Sequence, residues 1–268
     1  MTPEAADRLD QFFKVFAGGA DPILLLDFDG TLAPFRVDRF TARPWAGVRE
    51  LLARIQRAGL KTGLKTRMAV VTGRPAGEIA PMLGFDPALE VWGLHGAERL
   101  YPDGRRELEQ GPASTMERLQ ELRDRLKRDS LGGLFEDKAN GAVMHWRGAS
   151  LQKAKAIEKR TLGLFEPLAQ MDGLRLLRFE AGLELRVGRD KGGAVEAIVA
   201  EAGTDGPVAY LGDDFTDEAA FGVVNALSER GLSAMVRREW RETEAQIWLH
   251  PPGELREFLG RWVRAVEV

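Results

Sequence analysis

Ile23-Leu24-Leu25-Leu26-Asp27-Phe28-Asp29-Gly30-Thr31 is the stretch on which the fold turns. Four apolar residues in a row, with no alternation, read as a short strand covered on both faces, as in a parallel sheet. An Asp at the end of such a strand lies at the carboxyl edge of the sheet, where open α/β folds place their ligands. Asp27 and Asp29, one position apart on the departing chain, can hold one hard cation between them. Taken alone, the string is equally a solvated Asp–Gly turn.

Working outward, Trp45, Val48, Leu51, Leu52 and Ile55 fall at helical spacing on one face. Met68 to Val71 gives a second buried strand, stopped by Thr72-Gly73-Arg74-Pro75. Pro75 suits the first turn of a new helix, with Ile79, Met82 and Leu83 as its apolar stripe, and Val91 to Leu94 reads as a third strand. Between the first helix and second strand, Gly59-Leu60-Lys61-Thr62 is repeated as Gly63-Leu64-Lys65-Thr66 and is expected to be a loop extension. Strand–helix alternation of this kind implies a parallel sheet with helices on both faces.

The pattern changes after about residue 105. Ser114-x-x-Glu117 reads as a capping box opening a helix with Leu119, Leu122 and Leu126 inward. Leu134–Lys138 and Ala142–Arg147 flank Asn140-Gly141, a hairpin signal. A second helix over about 151–168 and strands over about 174–179 and 183–187 complete a small α+β insert. Beyond it the first texture returns: a helix from Lys191, strand 208–211, a helix from about Thr216, strand 234–236 and a helix from about Glu254. The expected fold class is therefore α/β: a doubly wound parallel-sheet core, residues 1–104 and 188–268, with a smaller α+β domain, 105–187, inserted.

Composition removes several classes of function. The 268 residues contain no cysteine, which excludes disulfides, thiolate metal sites and cysteine nucleophiles. A net charge of -3 offers no basic footprint for nucleic acid. No apolar run approaches the roughly 20 residues that span a bilayer, and Met1-Thr2-Pro3-Glu4 lacks the basic, apolar character of a secretory leader. The expectation is a cytoplasmic monomer acting on a small molecule, with no nucleic-acid or membrane partner.

Three further strings carry candidate chemistry. Thr72-Gly73-Arg74 presents a hydroxyl and backbone N–H groups at a strand-to-helix junction, a phosphate cradle in form, though by itself it is better read as a strand-ending turn. Lys191 opens a helix at the end where the dipole disfavours a cation, so it calls for an anionic partner; in isolation it is one surface lysine among many. Gly212-Asp213-Asp214-Phe215-Thr216-Asp217-Glu218 crowds carboxylates that repel unless screened, or else forms an acidic helix start.

Their order is more informative than any one of them. Asp-x-Asp, then a hydroxyl, then Lys, then an Asp cluster resembles the haloacid dehalogenase superfamily of aspartate-nucleophile phosphatases over the whole core. That resemblance implies a nucleophile at Asp27, a general acid and base at Asp29, a phosphoryl contact at Thr72 with Gly73 and Arg74 beside it, and a phosphoryl counter-charge at Lys191. It also implies Mg2+ held by Asp27, the Asp29 carbonyl and Asp213, with Asp214 and Asp217 auxiliary.

Longer strings are similar to the trehalose-6-phosphate phosphatase family within that superfamily. Asp27-Phe28-Asp29-Gly30-Thr31-Leu32-Ala33-Pro34 matches its first motif, and Tyr210-Leu211-Gly212-Asp213-Asp214-Phe215-Thr216-Asp217-Glu218 with Phe221 its fourth. Gly93-Leu94-His95-Gly96-Ala97-Glu98 resembles its His–Gly segment, while Glu136-Asp137-Lys138 and His145-Trp146-Arg147 resemble sugar-gripping strands of its cap. The resemblance implies a sugar phosphate bound by His95, Glu136, Lys138, Arg147 and Glu184. Two positions depart from the family: Glu180 stands where a Lys is usual, and Val187 where a Pro is usual. Trehalose 6-phosphate is thus the leading substrate. The alternatives are another phosphorylated sugar (glucosylglycerol, sucrose or mannosylglycerate type) and a non-catalytic sugar-phosphate-binding subunit.

Overall fold

A computed structural model describes residues 2–267 apart from 37, 63, 64, 87, 130, 131 and 180; the side chains of 17, 59–62 and 132 also lie outside the description. The departure at Glu180 therefore falls outside the described residues. The chain divides into two compact units, Met1–Glu107 with Asp190–Val268, and Leu108–Arg189.

The first unit is built on β1 (Ile23–Leu26), β2 (Arg67–Val71), β3 (Glu90–Gly93), β4 (Glu98–Leu100), β5 (Arg106–Leu108), β10 (Val208–Gly212), β11 (Gly231–Val236) and β12 (Ile247–Leu249). Their order in the sheet is β12-β11-β10-β1-β2-β3-β4-β5. Pairing is parallel from β12 to β3 and turns antiparallel at β4. β1 is central, and all four of its side chains are fully buried. Leu24 and Leu26 face one apolar cluster, Ile23 and Leu25 the other, following the two-residue period of a strand. At about 1.5–3 kcal/mol per buried aliphatic side chain, this run anchors the sheet.

One face is covered by α1 (Pro3–Val15), α2 (Val48–Thr62), α3 (Ala76–Leu83) and α8 (Gly253–Val266). The other is covered by α6 (Lys191–Ala202) and α7 (Glu218–Asn225). The repeat at residues 59–66 is not wholly a loop, because α2 runs through Thr62. Helix α1 and the three-residue strands β4, β5 and β12 have no counterpart among the expected elements. Helix α1 carried a readable start, Thr2 capping Ala5 N with Pro3 following. Phe12 of this helix and Phe16 just after it pack against Trp262 of α8, Phe16 edge-on at 4.9 Å between ring centroids. Among the described residues no helix is long and apolar enough to cross a membrane.

The second unit pairs β6 (Phe135–Lys138), β7 (Gly141–His145), β9 (Gly182–Val187) and β8 (Leu174–Phe179), antiparallel throughout, in the order β6-β7-β9-β8. Helices α4 (Ala113–Arg128) and α5 (Leu151–Ala169) cover one face with Leu119, Leu122, Ile157 and Phe165. Two local expectations are corrected here. Helix α4 begins at Ala113 with Pro112 as its N-cap and no side-chain cap bond, so Ser114 lies inside the helix and the capping box does not form. The hairpin turns on Ala139-Asn140, and Gly141 already pairs with Lys138 as the first residue of β7. The buried Asn140 side chain instead donates to the Val187 carbonyl at 2.9 Å.

Candidate active site

Three adjacent parallel strands end level with one another. Leu26 sits opposite Val70 on one side and Leu211 on the other. The residues that follow, Asp27, Thr72 and Asp213, therefore share one edge of the sheet. Asp27 N donates to the Leu211 carbonyl at 2.8 Å, and Thr72 N to the Trp92 carbonyl at 2.8 Å, so the backbone ladder holds both residues rigidly.

Lys191, first residue of α6, reaches into this edge. Its Nζ donates to Asp27 Oδ1 and Asp217 Oδ1, each at 2.7 Å, with all three side chains nearly inaccessible. Asp217 is saturated. Its Oδ1 also accepts from Tyr210 Oη at 2.5 Å, and its Oδ2 from the backbone N–H groups of Asp213 and Asp214 at 3.0 and 2.9 Å. Asp214 and Asp217 form a reciprocal capping box on the turn Phe215–Asp217, and Asp214 Oδ1 accepts from Phe215 N at 2.7 Å. Acidic helix-start and metal-cluster readings of this segment thus both have a place in it.

Among the described residues, Asp27, Asp213 and Asp217 are the group of carboxylates close enough to share one ion, with ligand atoms within 4.8 Å of one another. The Asp29 and Asp214 side chains are outside it. Three buried carboxylates against the single ammonium of Lys191 leave an excess of two negative charges, which suits a divalent cation. Burial, opposed by Lys191 and reinforced by Asp217, pushes the Asp27 carboxyl up to about 7. Burial, then Asp27 and Asp217, also lifts Asp213 well above the usual carboxylate range. Burial alone would lower Lys191, but Asp217 and Asp27 outweigh it and raise it. Tyr210 is raised by burial and by the same carboxylates. Such a site gains most when a cation replaces protons.

Two glycines make the packing possible. Gly30 has φ +85°, and a Cβ there would stand 2.0 Å from Asp213 Oδ2. A Cβ on Gly73 would come within 2.7 Å of the His95 ring.

The Thr72–Arg74 turn is braced from behind. His95, itself at φ +60°, donates its N–H to the Thr72 carbonyl at 2.8 Å, and Leu94 N donates to the Arg74 carbonyl at 2.9 Å. The fully buried Glu98 accepts from Ala76 N at 2.8 Å, fixing the start of α3. Arg74 does not point at an open space: it forms a two-pronged ion pair with Asp29, Nε to Oδ2 at 2.6 Å and Nη2 to Oδ1 at 2.5 Å. A pocket of about 460 Å³ opens beside Gly30 and Asp213 and is lined by Phe35, Trp45, Arg237 and Arg238 among others.

In the second unit, the β-register places Glu136, Lys138, Glu184 and Arg186 on the sheet face away from α4 and α5. Lys138 Nζ lies 3.2 Å from Glu184 Oε1, and His145 Nε2 lies 2.8 Å from Glu136 Oε2. Arg147 is exposed beyond the end of β7. Tyr210, Glu98 and Arg186 are residues the sequence reading did not single out as site candidates. Tyr210 and Glu98 lie inside strings it quoted, but only the fold shows what they touch.

The fold that brings this strand-end Asp, the helix-borne Lys and the second Asp-rich strand end together is that of haloacid dehalogenase-like hydrolases. The family model described as "Trehalose-phosphatase" matches residues 25–247, so the chain belongs to the trehalose-phosphatase family, whose members are phosphoric monoester hydrolases. It is 29% identical to a trehalose-phosphate phosphatase of Mycolicibacterium paratuberculosis, over 100% of this chain and 71% of that one. It is 31% identical to the Mycobacterium marinum protein of the same description, over 90% of this chain and 61% of that one. A trehalose-6-phosphate phosphatase structure from Aspergillus fumigatus shares the fold, with a TM-score of 0.70, 22% identity and coverage of 96% and 97%.

Proposed function

We propose that the protein hydrolyses trehalose 6-phosphate to trehalose and phosphate in two steps through Asp27. The observation that carries this reading is the buried Asp27–Lys191–Asp217 chain of 2.7 Å contacts at the sheet's carboxyl edge. Asp27 attacks phosphorus, forming an aspartyl-phosphate while the bond from phosphorus to the sugar oxygen breaks. Asp29 gives its proton to that oxygen, and trehalose leaves. A water molecule then loses a proton to Asp29 and attacks the same phosphorus. The phosphorus–Asp27 bond breaks, restoring the carboxylate and releasing phosphate.

Each remaining residue has work suited to its surroundings. Lys191, kept charged by its two carboxylates, offsets the charge of the transferring group. Thr72 Oγ1 accepts from Arg74 N at 3.2 Å, which leaves its own hydrogen free to donate to a phosphoryl oxygen. Asp217 orients Lys191 rather than binding anything else, since its two oxygens already take four donors. Asp27 and Asp213 would hold Mg2+, which when bound supplies the charge neutralisation that lets an anionic nucleophile meet a phosphate. The pocket beside Gly30 and Asp213 is within the size range of small-molecule sites and can admit a sugar next to the reacting centre.

The test is phosphate release from trehalose 6-phosphate, with Mg2+ and with chelator, beside glucosylglycerol, sucrose and mannosylglycerate phosphates. Preference for trehalose 6-phosphate with loss of turnover on chelation is the expected result. Activity confined to another member of the panel would move the substrate. Activity unaffected by chelator would remove the metal from the reading.

A further inference from the structure

Arg74 came from the sequence as a candidate substrate ligand, and its surroundings argue for a different task. Its guanidinium is held on three sides: Nε and Nη2 grip the two oxygens of Asp29 at 2.6 and 2.5 Å, and Nη1 donates to the Arg39 carbonyl at 2.6 Å. The guanidinium also sits over the Phe28 ring, 5.6 Å from its centroid. The Arg74 side chain is 9% exposed and that of Asp29 23%. A guanidinium committed in this way has its best donors pointed at a carboxylate rather than towards an incoming phosphate.

We infer that Arg74 is a positioning residue: it fixes the plane and direction of the Asp29 carboxylate that exchanges protons with the leaving sugar oxygen and with water. The inference rests on the two-step reading above. A planar fork matching both carboxylate oxygens sets orientation as well as distance, which a point charge such as an ammonium cannot do. The support continues behind Arg74. Arg39, whose carbonyl it binds, sends its own guanidinium to Glu78 Oε1 of α3 at 2.6 Å, and α3 begins two residues after Arg74. The turn Arg39–Thr41, α3 and Asp29 are thereby tied into one assembly with Arg74 at its centre.

The role separates cleanly from phosphate binding because the two make opposite demands on the leaving group. A sugar alkoxide needs a proton from Asp29, whereas 4-nitrophenolate is a weak base and leaves without one. For Arg74→Ala and Arg74→Lys we expect kcat/KM on trehalose 6-phosphate to fall by about 10²-fold. On 4-nitrophenyl phosphate, kcat/KM, which reports only the steps up to aspartyl-phosphate formation, should stay within about threefold. The inhibition constant of inorganic phosphate should stay within about twofold. A burst of 4-nitrophenolate followed by slow turnover is also expected, since the second step still needs the base.

Equal losses on both substrates, with weaker inhibition by phosphate, would overturn the inference and make Arg74 a phosphate ligand. Full recovery in Arg74→Lys would overturn it too. Crystal structures of both variants give a reading independent of turnover: Asp29 should change side-chain orientation while Asp27, Lys191 and Asp217 stay in place. An Asp29 that does not move would sink the inference even if the enzyme were slowed. A wild-type protein inactive on both substrates would instead defeat the two-step reading, and the position of Asp29 in those crystals would still decide the inference.

Discussion

The edge of the parallel sheet and the face of the antiparallel one turned away from α4 and α5 carry similar residue types under different constraint. At the first, Asp27, Asp217 and Lys191 are buried, and Asp217 alone accepts four hydrogen bonds. At the second, Glu136 pairs with a half-buried His145, and Arg147 is exposed. The first arrangement holds its charged groups in one geometry, and leaving any of them buried without a partner costs several kcal/mol. On the second the constraint varies along the face: Glu184 and Arg186 are buried, whereas Glu136, His145 and Arg147 are partly or fully exposed and can be exchanged at low cost. If the chemistry proposed for the edge and the sugar contacts that the resemblance implies for Glu136, Lys138, Arg147 and Glu184 are separable, substitutions at the two places should act differently on different substrates.

The largest effect expected is from Asp27→Asn. Turnover should drop by at least about 10³-fold, as for loss of a nucleophile elsewhere, on both trehalose 6-phosphate and 4-nitrophenyl phosphate. Folding should be intact by circular dichroism, since the change removes a charge that burial disfavours. Residual activity near wild type would end the assignment of Asp27. Next in size, Glu184→Gln removes the charge facing Lys138. It should raise KM for the sugar phosphate by about tenfold while leaving 4-nitrophenyl phosphate unaffected, because one charge-assisted hydrogen bond is worth about 1.5–3 kcal/mol. Equal losses on both substrates would show that the two regions are not separable.

How much of this could be read beforehand also differs between the regions. The strand ends were legible because a buried parallel strand writes itself as a continuous apolar run, as in Ile23–Leu26 and Val208–Leu211. Asp27, Thr72 and Asp213 follow such runs, and Lys191 opens a helix. What those side chains touch was not legible. Asp29 and Arg74 are 45 positions apart, Asp27 and Lys191 are 164 apart, and spacing carries no trace of either pair. The short edge strands β4, β5 and β12 hold three residues each, too few to show a period. In the second unit, local signals were overridden by neighbours: Pro112 took the cap position from Ser114, and Asn140 spends its amide on Val187 rather than on the turn.

The buried edge should also announce itself in stability against pH. Asp27 binds its proton more tightly folded, at about 7, than at the model-peptide value of 3.8. Between those limits the folded state holds more protons than the unfolded one, so the stability of metal-free protein should fall as pH rises from about 4 to about 7. Asp213 is shifted in the same direction and adds to the slope. Magnesium competes with those protons, so it should raise Tm more at pH 8 than at pH 5. At a hundred times Kd the stabilisation at pH 8 is about 2.7 kcal/mol. A flat metal-free profile, or a magnesium effect independent of pH, would break the link between this edge and a cation. Asp27→Asn should flatten the profile, whereas Glu184→Gln should not.

The smallest effect is the sharpest test of how the edge is held. Tyr210 lies on β10, fully buried, and its hydroxyl contributes one of the four donors on Asp217. Tyr210→Phe keeps the ring, which packs edge-on against Phe221 at 5.7 Å, and deletes that donor alone. Asp217 keeps Lys191 and two backbone N–H groups, so the cost should sit at the low end for a hydrogen bond to a charged group, about 1.5 kcal/mol. For a chain of this length that is a fall in Tm of a few degrees. Turnover should change by less than about tenfold, because Lys191 retains Asp27 as a direct partner at 2.7 Å. If kcat instead fell as far as in Asp27→Asn, Asp217 would have to control Lys191 through Tyr210. The reacting edge would then reach one layer deeper into β10 than its direct contacts imply.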